Sequence, residues 1–258
     1  MYGAHTVTVV IPAYNEEATI AAVIRDFRSQ QPLLDEILIV DNNSGDRTAE
    51  IARLEGARVI REEKQGYGNA LRSGMDHAAG DILILCEADG SFRASDLNKF
   101  LAYIHDAGMV VGTRTTKQMI DQGARMTFLI RMANIAVAKF LELLWFFTNE
   151  TRFTDIGCTY RGLWRDVYGR IRSGLHANGP DFSPEMMAEA LRCRIKVVEI
   201  PVKYFQREGG ESKHSLSYYH LARTALKMIR VIIRKRLEPN RCDQLPQRGC
   251  DGQGHVHG

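Results

Sequence analysis

A chain of 258 residues, 45% hydrophobic and 25% charged, has enough apolar material for a large core, which excludes a disordered polypeptide. Its 34 Lys and Arg against 31 Asp and Glu leave a formal charge of +3, too small to argue for nucleic acid as a partner. Five irregularly spaced cysteines, with no signal peptide ahead of the first apolar run, form no visible disulfide framework and point to a reducing, cytoplasmic location.

Val7 to Ile11 is a β-branched run ended by Pro12, and a polar stretch through Tyr14, Glu16 and Glu17 separates it from Ile20, Val23, Ile24 and Phe27. That spacing predicts a strand, a loop and an amphipathic helix. The plan repeats. Ile37 to Val40 reads as a strand ending at Asp41, Asn42 to Asp46 as a turn, and Thr48 to Leu54 as a helix. A third strand, Ala57 to Arg61, precedes Gln65-Gly66-Tyr67-Gly68-Asn69, whose glycines allow close backbone approach, and Ala70 to Ala79 reads as the next helix. The fourth strand, Ile82 to Cys86, runs straight into Glu87-Ala88-Asp89-Gly90.

Strands alternating with helices predict an α/β fold with a parallel sheet and right-handed crossovers. In such a sheet ligands bind at the carboxyl ends of strands. Two carboxylates one residue apart there can share a hard divalent cation whose other ligand is phosphate. Taken without context, Glu87 and Asp89 read as solvated turn acids; the repeated strand-to-polar-turn pattern is what favours a site.

Val9 to Glu17, Val40 to Thr48, Gly66 to Ala70 and Glu87 to Gly90 together resemble the family 2 glycosyltransferases of GT-A fold. Within that family the order is most similar to the dolichyl- and polyprenyl-phosphate sugar transferases, from about Val7 to about His214. The resemblance implies a Rossmann-like, mostly parallel sheet flanked by helices. It also implies inverting transfer of a hexose from a GDP- or UDP-sugar, with Mg2+ or Mn2+ as cofactor. It assigns Pro12, Tyr14 and Glu16 to the loop holding base and ribose, Asp41 to the nucleobase side, Gly68 and Ala88 to the nucleotide-sugar surface, and Glu87 with Asp89 to the metal. Tyr14 as a mere packing residue stays open. Two positions depart from the family pattern: Glu87 stands where Asp is usual, and Ser91 where an amide is common.

The resemblance further places Arg114, after Val110 to Thr113, against the phosphates, and Asp155 at the acceptor site. There Asp155 is a base if the acceptor is a hydroxyl, or a positioning group if it is a phosphate, whose oxygen is already anionic. Arg207 to Lys213 matches the family's Arg-x-x-Gly-x-Ser-Lys loop, so Arg207 and Lys213 join the catalytic set as cations for phosphate. Cys158 beside this segment reads as a small core residue rather than a nucleophile.

Ile120 to Phe147 is the longest apolar stretch, but Arg131, Lys139 and Glu142 interrupt it, so a helix or helix pair is expected rather than a bilayer span. The resemblance sets it at a membrane interface; an ordinary core helix is the alternative. Phe182 to Leu191 is expected to bring Glu185 and Glu189 toward the sheet, and Ile195 to Tyr204 reads as a strand. The expected organisation is a catalytic domain over 1–214, a basic amphipathic helix over 215–238 and a disordered tail over 239–258. The helix is either peripheral on the cytoplasmic face of a membrane or packed on the domain with its charges solvated. Cys242, Cys250, His255 and His257 fit no zinc spacing.

The expected function is metal-dependent hexose transfer from a nucleotide-sugar donor to a polyprenyl phosphate acceptor. Transfer to a soluble hydroxyl acceptor, nucleotidyl transfer, and sugar-nucleotide binding without catalysis are the alternatives.

Overall fold

Val7, Val9, Val10 and Ile11 expose no surface because β1 (Val7–Ala13) runs through the interior of a sheet that counts seven strands among the described residues. The computed structural model describes residues 2–120, 128–147, 152–207 and 218–239. The sheet order is β3 (Arg58–Arg61), β2 (Glu36–Asp41), β1, β4 (Ile82–Leu85), β6 (Arg161–Trp164), β5 (Met109–Thr113) and β7 (Val197–Pro201). All neighbouring pairs are parallel except those of β6, which runs antiparallel to both β4 and β5.

Both faces of the sheet are covered, which is why its strands read as unbroken apolar runs. Val10, Leu38, Val40, Leu83 and Leu85 face one core, shared with Leu71 and Met75 of α3 (Tyr67–His77) and with α7 (Phe182–Arg192). Val9, Ile11, Ile39, Ile82 and Ile84 face the other, against α1 (Ile20–Arg28) and α4 (Leu97–Ile104). Pro12 is tolerated inside β1 because the pairing with β4 stops at Val10 and Leu85. Alternation along β1 turns residue 12 toward β4 but beyond its end, so the missing N–H costs no ladder bond.

The predicted units are present, with α2 (Thr48–Leu54) as expected and α3 beginning earlier, at Tyr67. After β1 the chain crosses to β2 on one side; after β3 it returns to place β4 on the other. The crevice at the carboxyl ends of β1 and β4 is therefore a topological switch point, where open α/β sheets bind ligands.

Three expectations are corrected. Glu185 and Glu189 turn away from the sheet toward α8 (Tyr218–Leu237). Glu185 accepts Arg234 at 2.7 Å and the His176 and Ala177 N–H groups at 2.8 and 2.7 Å, while Glu189 lies 3.6 Å from the fully buried Lys235. Of the basic residues at the end of α8, Lys235 is fully buried, whereas Arg234 and Arg236 are exposed but engaged by the domain. Arg234 and Lys235 pair with α7, and Arg236 donates to the Leu144 carbonyl at 2.9 Å with its guanidinium over the Trp145 ring. Finally, Cys86 and Cys158 are free buried thiols, but Cys193 is disulfide-bonded, against the fully reduced set expected.

The long apolar stretch contains α5 (Phe128–Leu144), which divides the two readings between its faces. Val137, Ala138 and Leu141 enter the core, whereas Phe128, Leu129, Met132 and Leu143 are exposed. No helix among the described residues is long and apolar enough to cross a membrane. Lys213 with most of its loop, and residues 240–258 of the expected tail, lie outside the described residues.

Candidate active site

β4 delivers Glu87 and Asp89 to the switch point through a tight turn. Ser91 N–H donates to Asp89 Oδ1 at 2.9 Å, and Gly90 adopts a φ of +73°, a conformation that glycine takes without strain. Asp89 is only 3% exposed. The segment after β7 is laid against this turn: Lys203 N–H donates to Asp96 at 2.6 Å and Phe205 N–H to the Ser91 carbonyl at 2.9 Å. That brings Arg207 over the acids, with Nε 2.7 Å from Asp89 Oδ2 and the terminal nitrogen 3.4 Å from Glu87 Oε2.

Glu87 Oε1 accepts a hydrogen bond from the buried Thr159 hydroxyl at 2.6 Å, and the Tyr67 phenol donates to Thr159 at 2.7 Å. Burial, reinforced by the charge of Asp89, pushes Glu87 up to about 7. Glu16 belongs to the same field. Burial raises its pKa against a hydrogen bond from Thr19, and Asp89 raises it further while Arg207 opposes. Burial alone would lower the Arg207 pKa, but Asp89 and Glu87 outweigh it and hold the guanidinium charged.

The loops after β1 and β2, which carry the residues expected at the nucleotide, are stitched together. Asn15, at a positive φ of 54°, donates its N–H to Ser44 at 3.1 Å and accepts from Gly45 N–H at 2.8 Å; Glu16 N–H reaches Thr48 at 2.8 Å. Asp41 is buried at the end of β2 and accepts the Ser44 N–H at 3.1 Å. Tyr14 is 39% exposed, so it is not a core packing residue. Ala88 is buried between the two acids.

Gly68 packs closely on a neighbouring segment. A Cβ there would meet the Ala177 carbonyl oxygen at 2.1 Å, so the close approach it permits is to the chain's own 175–178 segment. That segment is tied down by Glu185, which gives the buried acid of α7 a structural use.

A second cluster stands beside the first. Asp155 Oδ2 accepts from Arg114 Nε at 2.8 Å and from its backbone N–H at 3.1 Å, and Oδ1 accepts from the Arg114 terminal nitrogen at 3.0 Å and from Gly157 N–H at 3.1 Å. Burial would lower the Arg114 pKa, but Asp155 more than reverses this. Glu199 on β7 holds the Asp155 loop by accepting the Thr154 N–H at 2.7 Å and the Asp155 N–H at 3.2 Å. Arg114 lies over the Tyr204 ring and acts electrostatically on Glu87, which joins the two clusters. Cys158 is pushed up to about 12 by burial and stays a neutral thiol, as its reading as a core residue requires.

Arg161 is spent inside, its guanidinium donating to the Ile156, Cys158 and Ser183 carbonyls at 2.7 to 2.8 Å. Sequence reasoning misses the roles of Thr159, Tyr67 and Glu199. Thr159 lies in the Phe153 to Arg161 segment, but nothing local marks it; only the antiparallel β6 that comes after it carries it to Glu87.

The donor set fits a hard divalent cation. Asp89 Oδ2 is buried and, although ion-paired with Arg207, accepts no well-directed hydrogen bond, which leaves a lone pair for a ligand. Among the described residues no group of three or more His, Cys, Asp or Glu gathers to hold a metal. Two carboxylates suit Mg2+ or Mn2+ only when phosphate and water complete the shell.

Residues 8–170 match Glycosyl transferase family 2. A dolichyl-phosphate hexose transferase of Haloferax volcanii is 34% identical over 207 residues, 80% of this chain and 85% of that protein. Glycosyltransferase AglJ of the same organism is 30% identical over 206 residues, 79% of this chain but only 64% of AglJ. The fold is similar to that of glucosyl-3-phosphoglycerate synthase from Mycobacterium tuberculosis in complex with Mn2+, UDP-glucose and phosphoglyceric acid. The TM-score is 0.68 at 18% identity, covering 93% of this chain and 82% of that one.

Proposed function

Because the chain belongs to glycosyl transferase family 2, we propose that it transfers a hexose from a nucleoside diphosphate sugar to a polyprenyl phosphate, with inversion at the anomeric carbon. The observation that carries the reading is the pair Glu87 and Asp89 at the switch point with Arg207 beside both. The lipid acceptor draws support from the Haloferax volcanii relative, a dolichyl-phosphate hexose transferase.

The acceptor oxygen attacks the anomeric carbon as the bond to the diphosphate oxygen breaks, and the electron pair leaves with the nucleoside diphosphate. Glu87 and Asp89 would hold Mg2+ or Mn2+, which when bound supplies Lewis-acid stabilisation of charge on the departing diphosphate. Arg207 adds fixed positive charge at the same place, with Lys213 proposed as a further cation. Pro12, Tyr14, Glu16 and Asp41, with Ala88 between the two acids, form the proposed nucleotide side. Arg114 faces the phosphates, and Asp155 is its positioning group. Both Asp155 oxygens already accept two hydrogen bonds each, which leaves it poorly placed to take a proton. That favours an acceptor that needs no base, as a phosphate does.

The deciding experiment is transfer of labelled sugar from UDP- and GDP-sugars to a short polyprenyl phosphate with Mn2+, Mg2+ or EDTA. Metal-dependent product lost in Asp89→Ala is expected. Donor hydrolysis without lipid product would remove the lipid acceptor, and nucleotide binding without any turnover would remove the enzyme.

A further inference from the structure

The first acid of the pair is Glu87, one methylene longer than the aspartate usual in the resembling proteins, and the structure contains a device that meets this length. Its Oε1 is 2.6 Å from the hydroxyl of Thr159, and that hydroxyl is 2.7 Å from the phenol of Tyr67. The direction of the chain is set by chemistry. A carboxylate kept ionised by a bound cation only accepts, so in that state Thr159 donates its single proton to Glu87 and accepts from Tyr67. Thr159 is buried two residues before β6, and Tyr67 is the first residue of α3, so both hydroxyls are anchored at or close to regular structure.

We propose that Thr159, backed by Tyr67, is the positioning residue that fixes the longer Glu87 arm, engaging Oε1 and leaving Oε2, which faces Arg207 at 3.4 Å, as the oxygen offered to the cation site. The inference rests on the proposed metal role of Glu87 and Asp89. An aspartate at 87 would be too short to reach Thr159, so the two features form one unit. Carboxylate ligands held by an outer hydrogen bond lose about tenfold to a hundredfold in metal affinity when that partner is removed.

The test is Mn2+ binding, followed by the electron paramagnetic resonance of free Mn2+ on the full chain, with and without UDP or GDP. Thr159→Val is expected to weaken Mn2+ binding about tenfold to a hundredfold, and Thr159→Ser, which restores the donor, to stay near wild type. Tyr67→Phe is expected to lose about two- to tenfold, since the Thr159 hydroxyl still reaches Glu87, and it carries the test if Thr159→Val does not fold. In a Glu87→Asp background, Thr159→Val should have no further effect, a coupling that a merely structural threonine would not produce. Wild-type Mn2+ affinity in Thr159→Val, or equal losses with and without Glu87, would overturn the inference while leaving the metal site standing. Mn2+ binding unchanged in Asp89→Ala would overturn the metal site itself.

Discussion

Arg207 Nε lies 2.7 Å from Asp89 Oδ2, so the guanidinium delivered by the segment after β7 sits on the very carboxylate oxygen that has a lone pair to offer a cation. On the proposed mechanism Arg207 has two opposing effects: it would compete with a divalent ion for Asp89, and it would add positive charge where a diphosphate departs. Arg207→Ala is expected to lower kcat for sugar transfer by about a hundredfold to a thousandfold while leaving Mn2+ affinity equal or tighter. Steady-state kinetics beside Mn2+ titration measures both. Weaker Mn2+ binding in the variant would mean that Arg207 supports the cation site rather than competing with it.

Asp155 is fully buried and paired with Arg114, whose side chain is 16% exposed. Removing one member of such a pair leaves an uncompensated buried charge and costs about 3–5 kcal/mol. Asp155→Asn should therefore lower the urea midpoint as well as activity. The double change Arg114→Met with Asp155→Leu should cost less than the two single changes together. Full stability with activity alone lost would instead identify Asp155 as a base.

The first four strand-and-helix units were legible because parallel strands buried on both faces read as short apolar runs ended by polar turns. Glu87 and Asp89 stood at one such end. Beyond residue 110 the chain was less legible, for a topological reason. β6 inserts antiparallel between β4 and β5, and no local pattern in Arg161 to Trp164 reports its neighbours. Thr159 reaches Glu87 only through that insertion. Glu185, Glu189 and Lys235 misled for a related reason: the two acids read as turned toward the sheet and the lysine as a charge of a surface helix, and only the packing of α7 on α8 makes them one buried network.

Glu36 gives the fold a defined acid sensitivity. It accepts the Thr8 hydroxyl at 2.6 Å, the Ala79 N–H at 2.8 Å and Arg58 at 2.7 Å, tying β1, β3 and the turn before β4 to the start of β2. Burial would raise its pKa, but these donors outweigh it and hold the carboxyl below its usual value. A depressed folded-state pKa means that the unfolded chain binds the proton more readily, so this stability is present above the ordinary glutamate range and is lost as pH falls through the folded value. Glu36→Gln should cost about 1–3 kcal/mol at pH 7, with the half-exposed Arg58 adding little, and the gap from wild type should narrow at an acid pH below the ordinary glutamate range. Urea unfolding at both pH values measures it; a gap that does not change with pH would assign the loss to packing.

Membrane attachment turns on a second exposed feature. Phe146 and Phe147, just past α5, are 57% and 98% exposed and meet edge to face, with exposed Leu143 one turn before them. The exposed cations described on α8 include Arg223, Lys227 and Arg230, beside Arg234 and Arg236, which are already engaged by α7 and the end of α5. Apolar insertion by the two phenylalanines, with about 1 kcal/mol from each cation near an anionic surface, would hold the chain peripherally. Phe146→Ser with Phe147→Ser should therefore lower co-sedimentation with vesicles of mixed neutral and anionic phospholipid at least about tenfold and leave the melting temperature unchanged, because neither ring supports the core. Raising the salt should weaken the wild type further, as screening reaches the α8 cations. Equal sedimentation of variant and wild type would remove the phenylalanines from the membrane contact, and no sedimentation of the wild type would confine lipid to the acceptor site.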